Sequence, residues 1–161
     1  VKSGKSYHAL QLARTHFSVP VSFIATAEIV DDEMRDRIEK HKQERCKEDG
    51  TEEFLTIEEP LELHNAVKQA GSALVIDCIP MWINNLVYYK RTDEFTFLLD
   101  SLFASLPDNW IMVTNETGLG TIPFDTETRL FNRLLAEANR LIAREAEHLD
   151  FMVCGIPLQV K

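Results

Sequence analysis

The stretch Val1-Lys2-Ser3-Gly4-Lys5-Ser6 opens the chain and runs into an amphipathic segment. It reads as the second half of a phosphate-binding loop, whose full pattern is G-x-x-x-x-G-K-[ST]. Gly4 lets the main chain approach a phosphate, Lys5 brings a point charge to the terminal phosphates, and Ser6 offers a hydroxyl to Mg²⁺. The helix expected from Ser6 to about Thr15 aims its first amides at the same anion. The loop's first glycine and the strand that normally leads into it are expected upstream of Val1. The unit is therefore read as one P-loop nucleotide-binding domain over residues 1–161 that lacks its first strand and first loop glycine.

Outward from the loop, strands and helices alternate. Four apolar runs, Val21–Ala27, Ala73–Ile79, Trp110–Asn115 and Phe151–Gly155, are nearly continuous rather than alternating. That pattern predicts parallel strands buried on both faces. Helical patterns fill the intervals. One runs from about Asp31 to Cys46, with Asp31 and Asp32 suited to its start. A second begins at Pro60 and ends at Gly71, with Leu63, Ala66, Val67 and Ala70 on one face. Trp82–Tyr89 and Glu94–Leu106 make one broken helix or two, and Glu127–His148 is the last. The alternation predicts an α/β fold, a mainly parallel sheet with helices on both faces. The polar segment Cys46–Glu53 is expected to be a mobile loop.

Composition narrows the class of ligand. A 161-residue chain with 45% hydrophobic and 27% charged residues can bury a sizeable core. Its net charge of −9 argues against nucleic acid or anionic membranes as partners, because neutralising a phosphate backbone needs excess Lys and Arg. A small anion at a local cationic site remains compatible. No apolar run approaches the ~20 residues of a membrane span. Cys46, Cys78 and Cys154 have no metal-like spacing. Cys78 and Cys154, inside apolar runs, are expected as buried thiols, and the odd count fits a reducing, cytoplasmic setting.

In open α/β sheets ligands bind beyond the carboxyl ends of the strands. Ala25-Thr26-Ala27-Glu28, Asp77-Cys78 and Asn115-Glu116-Thr117-Gly118 are therefore expected around the loop. Asp77 has the position of a Mg²⁺-facing carboxylate, with a helix-capping aspartate as the alternative. Asn115 and Glu116 either orient substrate hydroxyls and water or belong to a polar turn. In the second helix, Arg37, His41 and Arg45 fall at i, i+4 and i+8 on one stripe, with Ile38 beside them. Two flanking cations disfavour imidazolium and would keep His41 neutral, and a neutral imidazole can attack phosphorus to give a phosphoramidate. The opposite reading is a solvated face, with Glu33–Arg37, Asp31–Arg35 and Lys40–Glu44 pairs.

Taken in order, these segments resemble the bifunctional adenosylcobinamide kinase / adenosylcobinamide-phosphate guanylyltransferase family of cobalamin biosynthesis. The resemblance spans nearly the whole chain. It rests on Ser3-Gly4-Lys5-Ser6, Ile24-Ala25-Thr26-Ala27, Asp32-x-Met34-x-x-Arg37-Ile38-x-x-His41-x-x-x-Arg45 and Thr56-x-Glu58-x-Pro60. Further along it rests on Asp77-Cys78, Trp82-x-x-Asn85 and Val113-Thr114-Asn115-Glu116-x-Gly118-x-Gly120-x-Ile122-Pro123. It implies a RecA-like P-loop NTPase fold, generally a homotrimer, with His41 as the residue that becomes guanylylated. By the same resemblance GTP binds at Lys2, Ser3, Gly4, Lys5 and Ser6, at Ala25, Thr26 and Ala27, at Lys42, Gln43, Glu44 and Arg45, and at Glu58 and Asp77. Departures occur where the family often has Glu at Asp77, F-R-D at Phe131-Asn132-Arg133, and N-Q at Asn139-Arg140.

The implied chemistry has two steps. GTP, or ATP in its place, phosphorylates the aminopropanol hydroxyl of adenosylcobinamide, with Lys5, Asp77 and Ser6-bound Mg²⁺ stabilising the transferring charge. His41 then takes GMP from GTP and passes it to adenosylcobinamide phosphate, with Arg37, Asn115 and Glu116 in support. Because the two steps react at different phosphorus atoms, the His41 helix is expected to move. The rivals are a P-loop small-molecule kinase without nucleotidyl transfer and a non-catalytic GTP-binding regulator.

Overall fold

The computed structural model describes residues 3–29, 32–46, 50–51, 53–120 and 122–161, without the Arg37 side chain. In chain order the elements begin with α1 (Lys5–His16), β1 (Ser22–Ala25), α2 (Asp32–Gln43), β2 (Leu55–Glu58), α3 (Leu63–Gln69) and β3 (Ala73–Asp77). They continue with α4 (Ile79–Tyr88), a 3-10 turn (Thr92–Glu94), α5 (Phe95–Ser105), β4 (Asn109–Val113), α6 (Thr126–Glu145), β5 (Asp150–Val153) and β6 (Ile156–Gln159). Four strands form a parallel sheet in the order β2-β1-β3-β4.

Side chains alternate across a strand, so a strand covered on both sides is apolar at successive residues. β1 and β3 show this. Phe23, Ala73 and Val75 face α1, where they pack with Ala9, Leu10 and Ala13. Ile24, Leu74 and Ile76 face the opposite way, into a larger core built with α3, α4, α5 and α6. Trp82 of α4 is wholly buried there, stacked at 5.8 Å on Phe95 and donating its indole N–H to the Leu61 carbonyl at 2.8 Å.

The layered α/β architecture expected from the alternation is present, with three strands close to their expected bounds. The fourth run is different. Phe151–Gly155 is not a buried parallel strand: β5 and β6 form a separate antiparallel hairpin whose residues are mostly exposed. Cys154 and Gly155, at φ 52° and 82°, make its turn; two consecutive residues at positive φ close a tight hairpin. The run therefore folds back on itself, and Cys154 is exposed rather than buried, while Cys78 is half-buried. The fourth strand of the sheet is β2. It lies at one end of the sheet and offers only Leu55 and Ile57 as apolar residues, too weak a signal to announce a strand.

Helix boundaries shift for local reasons. α3 starts at Leu63, not Pro60, because the Glu59 carboxylate accepts the N–H groups of Leu61 and Glu62 at 2.9 and 2.8 Å and shapes a turn there. α2 ends at Gln43, so Arg45 lies beyond the helix. Asp31, and residues 47–49 and 52 of the expected mobile loop, lie outside the described residues.

Candidate active site

Parallel pairing sets the site. The register places Glu58, Ala25, Asp77 and Val113 in one row across the carboxyl ends of β2, β1, β3 and β4. With neighbouring strands ~4.8 Å apart, Glu58 and Asp77 stand ~10 Å from each other across Ala25. Between that row and α2 lies a cleft of about 470 Å³.

The cleft brings together only some of the residues expected at the site. Ser6 enters from the first turn of α1, Ala25, Ala27 and Asp77 from the strand ends, and Glu58 from the end of β2. From the α2 side come His41, Lys42 and Arg45. Ile38, beside the His41 stripe, lines the cleft, and so does Met34, one turn earlier. Met34 was legible in principle, since i, i+4 apolar spacing marks an inward helical stripe. Met81 also lines the cleft, from the first turn of α4, where Pro80 is at a position that needs no intrahelical N–H.

Of the loop, the residues from Ser3 onwards are described. Gly4 caps α1 at φ 85°, a left-handed conformation that glycine adopts without steric penalty. Lys5 Nζ lies 3.3 Å from Ser3 Oγ. Lys2 lies outside the described residues, and Ser3, Gly4, Lys5 and Gln43 are not among the residues lining the cleft.

Thr26 contributes differently from expectation. It is completely buried, its hydroxyl donates to the Cys78 carbonyl at 2.9 Å, and it accepts from the Cys78 N–H at 2.9 Å. Asn85 of α4 donates to the Thr26 carbonyl at 2.8 Å and the Pro60 carbonyl at 3.0 Å. Together they lock the ends of β1 and β3 side by side and so fix where Asp77 stands. The Trp82-x-x-Asn85 motif is thus a brace: both polar groups satisfy backbone carbonyls beneath the cleft.

Asn115 and Glu116 lie outside the cleft lining. The Asn139 amide donates to the Asn115 carbonyl at 2.8 Å and accepts from the Thr114 hydroxyl at 2.7 Å, tying β4 to α6. The Glu116 carboxylate turns back onto the N–H of Gly118. These contacts hold the segment's backbone against α6 and fold Glu116 onto the following residues.

The structure adds a group to the electrostatic setting of His41. Arg45, expected one turn after the imidazole, is buried beyond the end of the helix, its guanidinium 4.2 Å above the Phe23 ring centroid. A carboxylate lies next to the imidazole, Glu44 Oε2, 3.0 Å from Nδ1. Lys40 is not the partner of Glu44, and Arg35 pairs with Asp32 at 2.8 Å. Lys42 reaches Glu58 at 3.0 Å, an exposed pair that joins α2 to β2 and, being solvated, adds ~0–1 kcal/mol. At the outer rim Tyr89 donates to Glu28, and that bond, with burial and the carboxylate's charge, pushes the phenol above its ordinary value.

A glycine-capped phosphate loop, and a strand-end carboxylate lining one cleft with the serine that follows the loop lysine, define a P-loop nucleotide-binding protein. The chain belongs to the cobinamide kinase / cobinamide phosphate guanyltransferase family, whose model matches residues 1–160. It is 34% identical to the bifunctional adenosylcobalamin biosynthesis protein CobP of Pseudomonas aeruginosa, over 99% of this chain and 92% of that protein. It is 31% identical to the bifunctional adenosylcobalamin biosynthesis protein CobU of Escherichia coli, over 99% and 95%. No helix among the described residues is long and apolar enough to cross a membrane.

Proposed function

We propose that this chain phosphorylates adenosylcobinamide and then transfers a guanylyl group to adenosylcobinamide phosphate through a GMP–His41 intermediate, in adenosylcobalamin biosynthesis. The observation that carries the reading is that one cleft is lined by Ser6 and Asp77 from the phosphate-loop side and by His41 from the α2 side. A triphosphate lying along it would present its terminal phosphates to the loop and its α-phosphorus towards the helix.

In the kinase step Lys5 and the α1 amides hold the γ-phosphate while the cobinamide hydroxyl attacks it. Mg²⁺ fits as an ion shared with the nucleotide. Among the described residues no cluster of three or more His, Cys, Asp or Glu side chains forms a cage of its own, whereas Ser6 and Asp77 supply the few hard oxygens that Mg²⁺ takes alongside phosphates. When bound there it supplies charge neutralisation on the phosphate oxygens. In the second step His41 displaces pyrophosphate from GTP, and adenosylcobinamide phosphate then displaces His41. Arg37 supports this step from α2. GTP serves both steps, ATP being the alternative donor in the first. Two reacting phosphorus atoms in one cleft call for α2 to shift between steps. The resemblance adds a cytoplasmic homotrimer to this reading.

The experiment is labelling with GTP carrying α-³²P. The expected result is a stoichiometric protein adduct that is acid-labile and alkali-stable, as a phosphoramidate is, and absent from His41→Ala. Equal labelling of His41→Ala and the native protein overturns the assignment.

A further inference from the structure

We propose that Glu44 is the positioning residue that sets the tautomer of His41. The inference rests on the nucleophilic role just given to that histidine. It starts from the 3.0 Å contact between His41 Nδ1 and Glu44 Oε2. An ionised carboxylate can only accept a hydrogen bond. The proton of a neutral His41 ring therefore sits on Nδ1, and the lone pair needed for attack is left on Nε2. An imidazole without such a partner divides its proton between the two nitrogens, and only the tautomer with a bare, cleft-facing nitrogen is reactive.

The placement of Glu44 is anchored by contacts outside α2. The Glu44 carbonyl accepts from Arg14 Nη2 of α1 at 3.3 Å, and Arg14 also pairs with Glu53 at 2.7 Å. The next residue, Arg45, is buried over Phe23 of β1, and its carbonyl accepts the Glu53 N–H at 3.1 Å. The turn that carries the carboxylate is thus held to α1 and β1, three residues from the imidazole it faces. Histidines whose second nitrogen is fixed by a carboxylate follow the same logic in catalytic triads.

The step balances without any further reagent. The Nε2 lone pair forms the bond to the α-phosphorus, the bond from that phosphorus to the bridging oxygen breaks, and its electron pair leaves with pyrophosphate. Nδ1 keeps its proton, so the ring becomes cationic, and the Glu44 carboxylate beside it offsets that charge. In the return step a phosphate oxygen of the acceptor bonds to the same phosphorus, the P–N bond breaks, and the pair returns to Nε2. No proton has to move in either half.

The test compares the native protein with Glu44→Ala, Glu44→Gln and His41→Ala. Three readouts are taken: the single-turnover rate of labelling by α-³²P GTP, the cobinamide kinase rate on the same preparations, and ¹⁵N spectra of the His41 ring. In the native protein Nδ1 is expected to carry the proton. Glu44→Ala is expected to lower the ratio of labelling to kinase rate by ~10²-fold, the order of loss on removing one preorganised contact to charge that develops in the transition state, and to lose the tautomer preference. Glu44→Gln keeps an acceptor at Nδ1; it is expected to retain the tautomer and recover part of the rate. A native ring protonated on Nε2, or an unchanged ratio in Glu44→Ala with no label on His41→Ala, overturns this proposal alone. Full labelling of His41→Ala overturns the nucleophile assignment and this proposal with it.

Discussion

Thr26 shows how much of a site can depend on a residue that touches none of its chemistry. One buried hydroxyl bonds both the N–H and the carbonyl of Cys78, next to the Asp77 carboxylate that lines the cleft. Thr26→Val keeps the shape and removes both bonds, and is expected to destabilise the fold by ~1–3 kcal/mol in urea denaturation. Thr26→Ser should restore most of that loss. The sequence marked Thr26 as part of the site through its place at a strand end. It gave no hint that the hydroxyl turns sideways to a neighbouring strand, because the partner lies 52 residues away along the chain. Arg45 is a similar case: i+8 spacing put it on the His41 stripe only as long as the helix continued, and the helix stops at Gln43.

Among the described helix starts, that of α6 carries a side-chain cap. The Asp125 carboxylate accepts the N–H of Thr128 at 2.7 Å, and that bond, more than the nearby charge of Arg129, holds the carboxyl below the usual aspartate range. A depressed folded-state value stabilises the fold above the unfolded value and is lost as pH falls through the folded one. Asp125→Ala is therefore expected to lower Tm by roughly 2–4 °C at neutral pH. In calorimetry the gap should close as pH drops below about 3.9. The sequence placed this helix nearly correctly because its apolar stripe is long, and long periodic signals outlast local uncertainty. It misplaced Phe151–Gly155 because a five-residue apolar run has no periodicity to separate a buried parallel strand from one arm of a hairpin.

For the molecule as a whole, the core between the sheet and α3–α6 carries the row of strand ends. Trp82 is its largest fully buried side chain. Trp82→Ala is expected to cost about 3–5 kcal/mol and, since Asn85 is one turn further along the same helix, to weaken nucleotide binding as the brace loosens. Chemical denaturation with ligand titration would check both; native stability together with native affinity would contradict it. The sequence by itself determined the α/β layering, the phosphate loop, the strand-end carboxylate and the histidine helix, since hydrophobic periodicity and loop chemistry are properties of neighbours along the chain. Only the tertiary structure decided that β2 completes the sheet, that Thr26 and Asn85 brace the site, and that the imidazole meets the Glu44 carboxylate. Those outcomes depend on which distant groups satisfy one another's hydrogen bonds and charges once the chain is packed.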